Sequence, residues 1–197
     1  MRNPVQARSA QSAELMMDAA LRLAASEGLR GVTVAAVARE SGTSNGALYH
    51  RFKDRLGLLL ATQDRFLTEF EQRFEDAALA ADQESDRERA VTLIVGGYLD
   101  LASGMRRTFR AFNVEGHDEN ALRVRGSTTS HRIAARTCDL LQRRFDCPRP
   151  AAEAAYRLLL GMTASKALWQ DAQISDYPLD LDTLKQHLCS AIIAIVA

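Results

Sequence analysis

Apolar residues recur at every third or fourth position along almost the whole chain, which is the spacing of one face of an α-helix. This period predicts long helices over about 12–26, 55–80, 88–103, 119–145, 151–172 and from 181 to the C-terminus, with a short segment at 106–115. No stretch shows the strict alternation of apolar and polar residues that marks a half-buried strand. The pattern therefore predicts an all-α protein of about nine helices.

Two short helices are predicted between the first and the second long helix. Thr33 can cap the first of them, and Thr43 or Ser44 can cap the second, because a hydroxyl oxygen accepts hydrogen bonds from the unpaired N–H groups of a helix start. Gly42 can take the positive φ that the tight turn between them needs. Asp54 then caps the long helix that follows. Two short helices joined by such a turn form a helix-turn-helix.

One segment inside the long helix predicted at 119–145 is poor helix-forming sequence. Gly126–Ser130 reads Gly-Ser-Thr-Thr-Ser, and short hydroxyl side chains compete with the helix by bonding to nearby backbone groups. We therefore expect either a kink in this helix or the polar wall of a pocket.

Composition supports the helical prediction and narrows the class of protein. The 197 residues include only 4 Pro and 11 Gly, which is low for a β-rich or disordered chain. No apolar run reaches the roughly 18 residues of a membrane span, and Met1–Ser12 lacks the apolar core of a secretory signal. Cys138, Cys147 and Cys189 have no C-x-x-C spacing, so we expect reduced, buried thiols in a cytoplasmic protein.

Charge is unevenly placed although the net charge of the chain is zero. Residues 1–60 hold eight basic and five acidic side chains, whereas the rest of the chain holds 17 basic and 20 acidic ones. A positive N-terminal part is what a small phosphate-binding module needs. An excess of this size is a weak signal by itself.

No catalytic or cofactor motif is present, so we expect neither an enzyme nor a bound cofactor. The chain has no G-x-S-x-G, P-loop or G-x-G-x-x-G motif, and no two of its four histidines stand four residues apart. His117 with Asp118 and Glu119 could form a metal cluster, but a solvated loop is the simpler interpretation. Two other functional classes stay open: a helical enzyme or carrier with a vestigial helix-turn-helix, and an architectural DNA-binding protein without a ligand.

The helix-turn-helix carries a longer motif, V-A-x-x-S-G-T-S-x-G-A-L-Y-x-x-F-x-D, which starts at Val37. With this motif, residues 15–60 resemble the DNA-binding domain of the TetR family of transcriptional regulators. The resemblance implies a helix-turn-helix DNA-binding domain over 1–55 and a helical ligand-binding and dimerisation domain over 56–197. It also implies a repressor that binds a palindromic operator as a homodimer and is released by a small molecule.

The expected contacts with double-stranded DNA lie on the helix-turn-helix and at the start of the next helix. Asn45 can donate to and accept from a base edge, best from adenine, and Gly46 lets the backbone approach the bases closely. By resemblance, Tyr49 and Arg55 contact phosphates. The full set of candidates is Thr33, Ser44, Asn45, Gly46, Tyr49, His50, Arg51 and Arg55.

A lipophilic or aromatic effector is expected in the second domain, because pockets in such domains are mostly apolar with a few polar groups. The candidates for its site are Phe66, Phe70, Tyr98, Met105, Phe109, Phe112, Asn113, His117, Thr129, Met162 and Trp169. The last two long helices have apolar stripes with small residues that allow close helix approach, and they are expected to form the dimer interface. Its candidates are Ala151, Ala155, Leu158, Met162, Leu184, Leu188, Ile192 and Ile195.

Overall fold

The computed structural model describes residues 4–197, with side chains from residue 10 onward. Residues 1–3 lie outside the described residues; they begin the N-terminal segment in which we expect no secretory signal. The described chain is all α, as predicted, with ten α-helices and one π-helical turn. These are α1 (Pro4–Gly31), α2 (Val34–Ser41), α3 (Asn45–Phe52), α4 (Arg55–Gln83), α5 (Arg87–Gly104), α6 (Arg106–Arg110), the π-helical turn Ala111–Glu115, α7 (Asn120–Phe145), α8 (Arg149–Leu168), α9 (Asp171–Ile174) and α10 (Leu181–Val196).

Three helices differ from the sequence prediction. The first begins at Pro4 rather than near residue 12. The helix predicted over 151–172 ends at Leu168, because Trp169 is extended (φ −117°, ψ 151°), and α9 follows as a separate turn. For the segment Gly126–Ser130 we expected either a kink or a polar pocket wall; α7 continues through it as one helix, and the pocket wall stays a prediction. Once a helix is nucleated on both sides, each added residue gains a backbone hydrogen bond, which outweighs a few residues of poor propensity.

Gly28 interrupts the helical conformation of α1, two residues after the predicted end of the first helix near residue 26. Its φ is +71° and its ψ is −173°, a combination that only glycine adopts readily. The chain makes one further turn through residues 29–31 before Thr33 starts α2. Gly28 therefore marks the corner between α1 and the helix-turn-helix.

The chain divides into two compact units. The first contains the described residues up to Thr68 together with Arg107–Gly126, and the second contains Glu69–Arg106 together with Ser127–Ala197. Within the first unit, the rings of Phe66 and Phe112 stack with centroids 5.7 Å apart, so the segment 107–126 packs against the first half of α4. The domain boundary expected at residue 55 stays a prediction.

The core of the second unit lies where α5, α8 and α10 pack against one another. Leu159 of α8 and Val91 of α5 are fully buried, and Leu188 and Ile192 of α10 are almost fully buried. The C-terminal helix is therefore an integral part of the folded chain.

A ladder of ion pairs joins α4 to α7 within the second unit. Each arginine follows its acidic partner by 61 residues, so successive pairs keep the same register, which requires the two helices to run parallel there. The pairs, with their N···O distances, are Arg132–Glu71 (3.1 Å), Arg136–Glu75 (3.1 Å) and Arg143–Asp82 (2.9 Å). In the first unit, Arg125 pairs with Asp64 at the same spacing.

Candidate nucleic-acid interface

The helix-turn-helix has both of the caps that the sequence predicted. Ala36 N donates to Thr33 Oγ1 at 3.1 Å at the start of α2, and Ala47 N donates to Ser44 Oγ at 3.1 Å at the start of α3. Gly42, between the helices, has the predicted positive φ of 65°. Because Ser44 supplies the cap of α3, the neighbouring side chain of Asn45 is not needed for it.

The outer face of α3 is solvent-exposed, and its inner face is anchored. Leu48 of α3 and Val37 of α2 are both buried, while Tyr49 is 55% exposed. Since positions four apart share a helix face, Asn45 and Tyr49 lie on one exposed strip. All eight residues predicted to contact DNA are exposed: Thr33, Ser44, Asn45, Gly46, Tyr49, His50, Arg51 and Arg55.

Arg55 has an intramolecular role that the sequence did not indicate. Its Nε donates to Val32 O at 3.0 Å and its Nη2 donates to Leu29 O at 2.5 Å. The guanidinium therefore holds carbonyl groups at the corner that leads into α2. The third nitrogen of the guanidinium group, Nη1, has no acceptor among the described residues. This edge of the group is therefore available to a phosphate.

Glu115 holds the same corner from the other side. Its Oε2 accepts a hydrogen bond from Leu29 N at 2.9 Å, across 86 residues of sequence. A Cβ built on Gly28 would lie 2.4 Å from the same oxygen, so the contact requires glycine there. The backbone of Leu29 is thus bound at its N–H by Glu115 and at its C=O by Arg55. The sequence gives no sign of this role of Glu115, because no local pattern reports a contact between residues 86 positions apart.

The connection from α3 to α4 is tight, which explains a glycine in the first turn of α4. A Cβ on Gly57 would lie 2.0 Å from the carbonyl oxygen of Phe52. Gly57 N donates to Asp54 Oδ1 at 2.7 Å, so Asp54 caps α4 as predicted. Lys53 takes a positive φ of 67° in the same connection. Only two residues separate the end of α3 from the start of α4.

The residues predicted to bind an effector fall in both compact units, and several are core residues. Phe70 makes an edge-to-face contact with Tyr98 at 5.7 Å, and Phe66 stacks on Phe112; all four are buried. Asn113, His117 and Trp169 are exposed, Thr129 is buried, and Met105, Phe109 and Met162 are half-buried. Met162 lines a pocket beside α9.

Part of the predicted dimer interface is already buried within a single chain. Leu188 and Ile192 are almost fully buried there, so little of their surface is left for a partner. Ala155 and Leu184 are buried in the same way. The apolar face of α10 is covered by α5 and α8 of the same chain. The predicted interface residues that keep accessible surface are Ala151, Leu158, Met162 and Ile195.

The polar groups inside the second unit are packed rather than reactive. Burial raises the pKa of the Tyr98 hydroxyl above its ordinary value, and Tyr156 Oη lies 3.2 Å from Ser130 Oγ. All three cysteines are free and buried, as expected, and burial raises the pKa of Cys138 to about 11. A thiol of that pKa stays protonated at neutral pH, so Cys138 is a poor nucleophile.

Neither a metal site nor a membrane-spanning helix is found among the described residues. No three His, Cys, Asp or Glu side chains in that part of the chain are placed to hold a metal ion. Among the described helices, none is both long and apolar enough to cross a membrane.

Comparison with known proteins gives matches that span most of the chain. A family profile described as bacterial regulatory proteins, tetR family, matches residues 16–62. The HTH-type transcriptional regulator BetI of Klebsiella pneumoniae is 30% identical over 182 residues, covering 89% of this chain and 88% of that protein. BetI of Escherichia coli O127:H6 is 30% identical over 172 residues, covering 84% of each chain.

Solved structures agree with these matches. A transcriptional regulator from Rhodococcus sp. Rha1 has a TM-score of 0.74 at 25% identity, over 92% of this chain and 94% of that one. A Mesorhizobium loti protein described as a TetR-family regulator has a TM-score of 0.78 at 15% identity, over 95% and 96% of the two chains. At that identity the likeness shows the fold alone.

Proposed function

The chain belongs to the TetR family of transcriptional regulators, and we propose that it is a repressor that binds a palindromic operator as a homodimer and is released by a small molecule. Its matched relatives are named as transcriptional regulators, which are not enzymes. The observation that carries the proposal is α3, a capped helix whose outer face is exposed and carries the predicted DNA contacts.

The N-terminal end of α3 is proposed to enter the major groove, as recognition helices of this motif do. The side chain of Asn45 is exposed, and Ser44 rather than Asn45 caps α3, so its amide is placed to pair with a base edge. Gly46 has no side chain to hold the backbone away from the bases. Tyr49, Arg51 and Nη1 of Arg55 would contact phosphates, which position the helix but carry no sequence information.

A homodimer follows from the single recognition helix of each chain, because a palindromic operator has two half-sites related by a two-fold axis. We place the interface on the accessible faces of α8 and α10. Leu158 and Met162 of α8 and Ile195 of α10 would contribute, with Ile195 39% exposed in the single chain. Ala151 would lie at the edge of this surface.

Release by a small molecule requires two states of the protein with different affinities for DNA. We propose that residues 1–55 form the DNA-binding part and that an effector binds within residues 56–197. The two-residue connection between α3 and α4 supports this coupling, and so does the corner held by Glu115 and Arg55. Through either the α3–α4 connection or this corner, a movement of the later helices would displace α3.

The experiment is selection of bound sequences from random double-stranded DNA by the full-length protein, with Asn45→Ala as the comparison. We expect an inverted repeat whose half-sites lie about one helical turn, roughly 10 base pairs, apart or a multiple of it. Asn45→Ala should still bind DNA but should lose preference at one position in each half-site, by about 1–3 kcal/mol. If no sequence is enriched, or if both proteins select the same site equally well, the proposed reading by α3 is wrong.

A further inference from the structure

A small apolar pocket lies in the second unit between α8, α10 and the segment 169–180. Its volume is about 220 Å³, and its walls include Met162 of α8, Leu184 of α10 and Ile174 of α9. An apolar cavity of about 150 Å³ in another protein is known to hold benzene. This pocket therefore has room for one small ring with a substituent, and it is smaller than the pockets of drug-sized ligands.

One ion pair lies in the wall of this pocket. Lys166 Nζ, in the last turn of α8, is 2.6 Å from Asp171 Oδ1, at the first residue of α9. The side chain of Lys166 is 21% exposed, and that of Asp171 is 48% exposed. The ammonium group is thus the more sheltered member of the pair, with its aliphatic stem along the apolar wall.

The two partners of this ion pair differ in how firmly the fold holds them. Lys166 belongs to a 20-residue helix that is part of the core. Asp171 belongs to a four-residue helix with no buried residue, and elements with few buried contacts open at low free-energy cost. A ligand can therefore displace the carboxylate of Asp171 more easily than it can displace the ammonium of Lys166. This leaves the ammonium group of Lys166 as the charged group that the pocket wall keeps in place.

We propose that this pocket binds a small apolar carboxylic acid of about the size of benzoate. The ring lies against Met162 and Leu184, and the carboxylate takes the place of Asp171 on Lys166 Nζ. Loss of the Lys166–Asp171 ion pair then releases α9 from the end of α8. The inference rests on the proposed function only in identifying such an acid as the effector; binding itself does not depend on DNA.

The test is titration calorimetry of the full-length protein without DNA, with benzoate and its neutral isostere benzamide as probes. We expect benzoate to bind about tenfold more tightly than benzamide, because a charge-assisted hydrogen bond is about twice as strong as a neutral one. Lys166→Gln should remove this preference. Asp171→Asn should strengthen benzoate binding, since the competing carboxylate is gone, and Ser165→Phe should block both probes by filling the pocket.

The chain offers a matched control in the Lys185–Asp100 ion pair. Its N···O distance is also 2.6 Å, and the lysine side chain is 20% exposed, but it lies outside the pocket lining. Lys185→Gln should leave both affinities unchanged. The proposal is overturned if benzoate does not saturate the protein by about 10 mM, if benzamide binds equally well, or if the two lysine variants behave alike. Benzoate binding that leaves operator affinity unchanged would support the pocket and refute its role in induction.

Discussion

Replacing Gly28 by alanine tests whether Glu115 holds the corner between α1 and α2. The backbone of Gly28 has a φ of +71° and a ψ of −173°, a region that is essentially restricted to glycine. A Cβ in this position would lie 2.4 Å from Oε2 and 2.7 Å from Oε1 of Glu115. Alanine at position 28 is therefore disfavoured in two separate ways, by backbone strain and by a steric clash with the carboxylate.

The strain and the clash each have their own free-energy cost. Holding a residue with a side chain in this backbone region costs about 1–3 kcal/mol. Glu115 must also swing away, which breaks its hydrogen bond from Leu29 N, and a hydrogen bond to an exposed charged group contributes about 1 kcal/mol. Gly28→Ala should therefore lower the free energy of unfolding by about 2–4 kcal/mol, summed from these two terms. Glu115→Ala should lower it by about 1 kcal/mol.

The double variant separates the clash from the backbone strain. With Glu115→Ala in place, the added Cβ meets no carboxylate, so the second change should cost only the strain of about 1–3 kcal/mol. The double variant should therefore be less destabilised than the sum of the two single variants, because both remove the same hydrogen bond.

The assay is urea unfolding followed by circular dichroism, at one protein concentration because a dimer's stability depends on it. Gly96→Ala is the matched control, since Gly96 lies inside α5 and a Cβ there would have nothing within 4 Å. It should stabilise the protein by up to about 1 kcal/mol. A Gly28→Ala variant as stable as the parent chain, or fully additive effects in the double variant, would refute the reasoning.

Three further predictions concern DNA contacts and charge. Arg55→Ala should lower the free energy of unfolding by about 1–3 kcal/mol, because it leaves the carbonyls of Leu29 and Val32 without their donor. It should also reduce the slope of log K against log salt concentration for DNA binding by about 1 per half-site. If the variant unfolds in urea like the parent chain, Arg55 has no structural role. Tyr49→Phe should weaken binding to all DNA sequences alike in mobility-shift titrations, and a changed preferred sequence would contradict a phosphate contact. Burial acts to raise the pKa of Asp82, but hydrogen bonds from Arg136 and Arg143 outweigh it and hold that pKa below 3.8. The ionised form therefore stabilises the fold above this pH, and the gain is lost as the pH falls through the lowered value. The free energy of unfolding of Asp82→Asn should accordingly fall less at acid pH than that of the parent chain. The same acid dependence in both proteins would contradict the ion pair.

The helix-turn-helix could be predicted almost completely from the sequence. The caps of Thr33 and Ser44 bond to N–H groups three residues away, and Gly42 needs a positive φ for a turn of three residues. These interactions are local, so the residue types at their spacing report them directly. The exposed face of α3 follows from the helical period, with Leu48 as the anchor on the inner side.

The effector and dimer residues could not be assigned in the same way. An apolar stripe on a helix requires burial, but its period does not indicate what covers it. Leu188 and Ile192 are covered by their own chain, and Phe70 and Tyr98 pack against each other. The 126–130 segment likewise stays helical, because its neighbours in α7 outweigh its own weak propensity.

What the sequence by itself determined is therefore the all-α class, the period of the helices and the DNA-binding motif. Tertiary structure alone decided the corner at Leu29, where Glu115 and Arg55, 86 and 26 residues away in sequence, bind the N–H and the C=O of this residue. It also decided the pocket beside α9, whose walls come from α8, α9 and α10. The physical reason is that caps and turns depend on a few consecutive residues, whereas a long-range contact depends on the packing of the whole chain between its two ends.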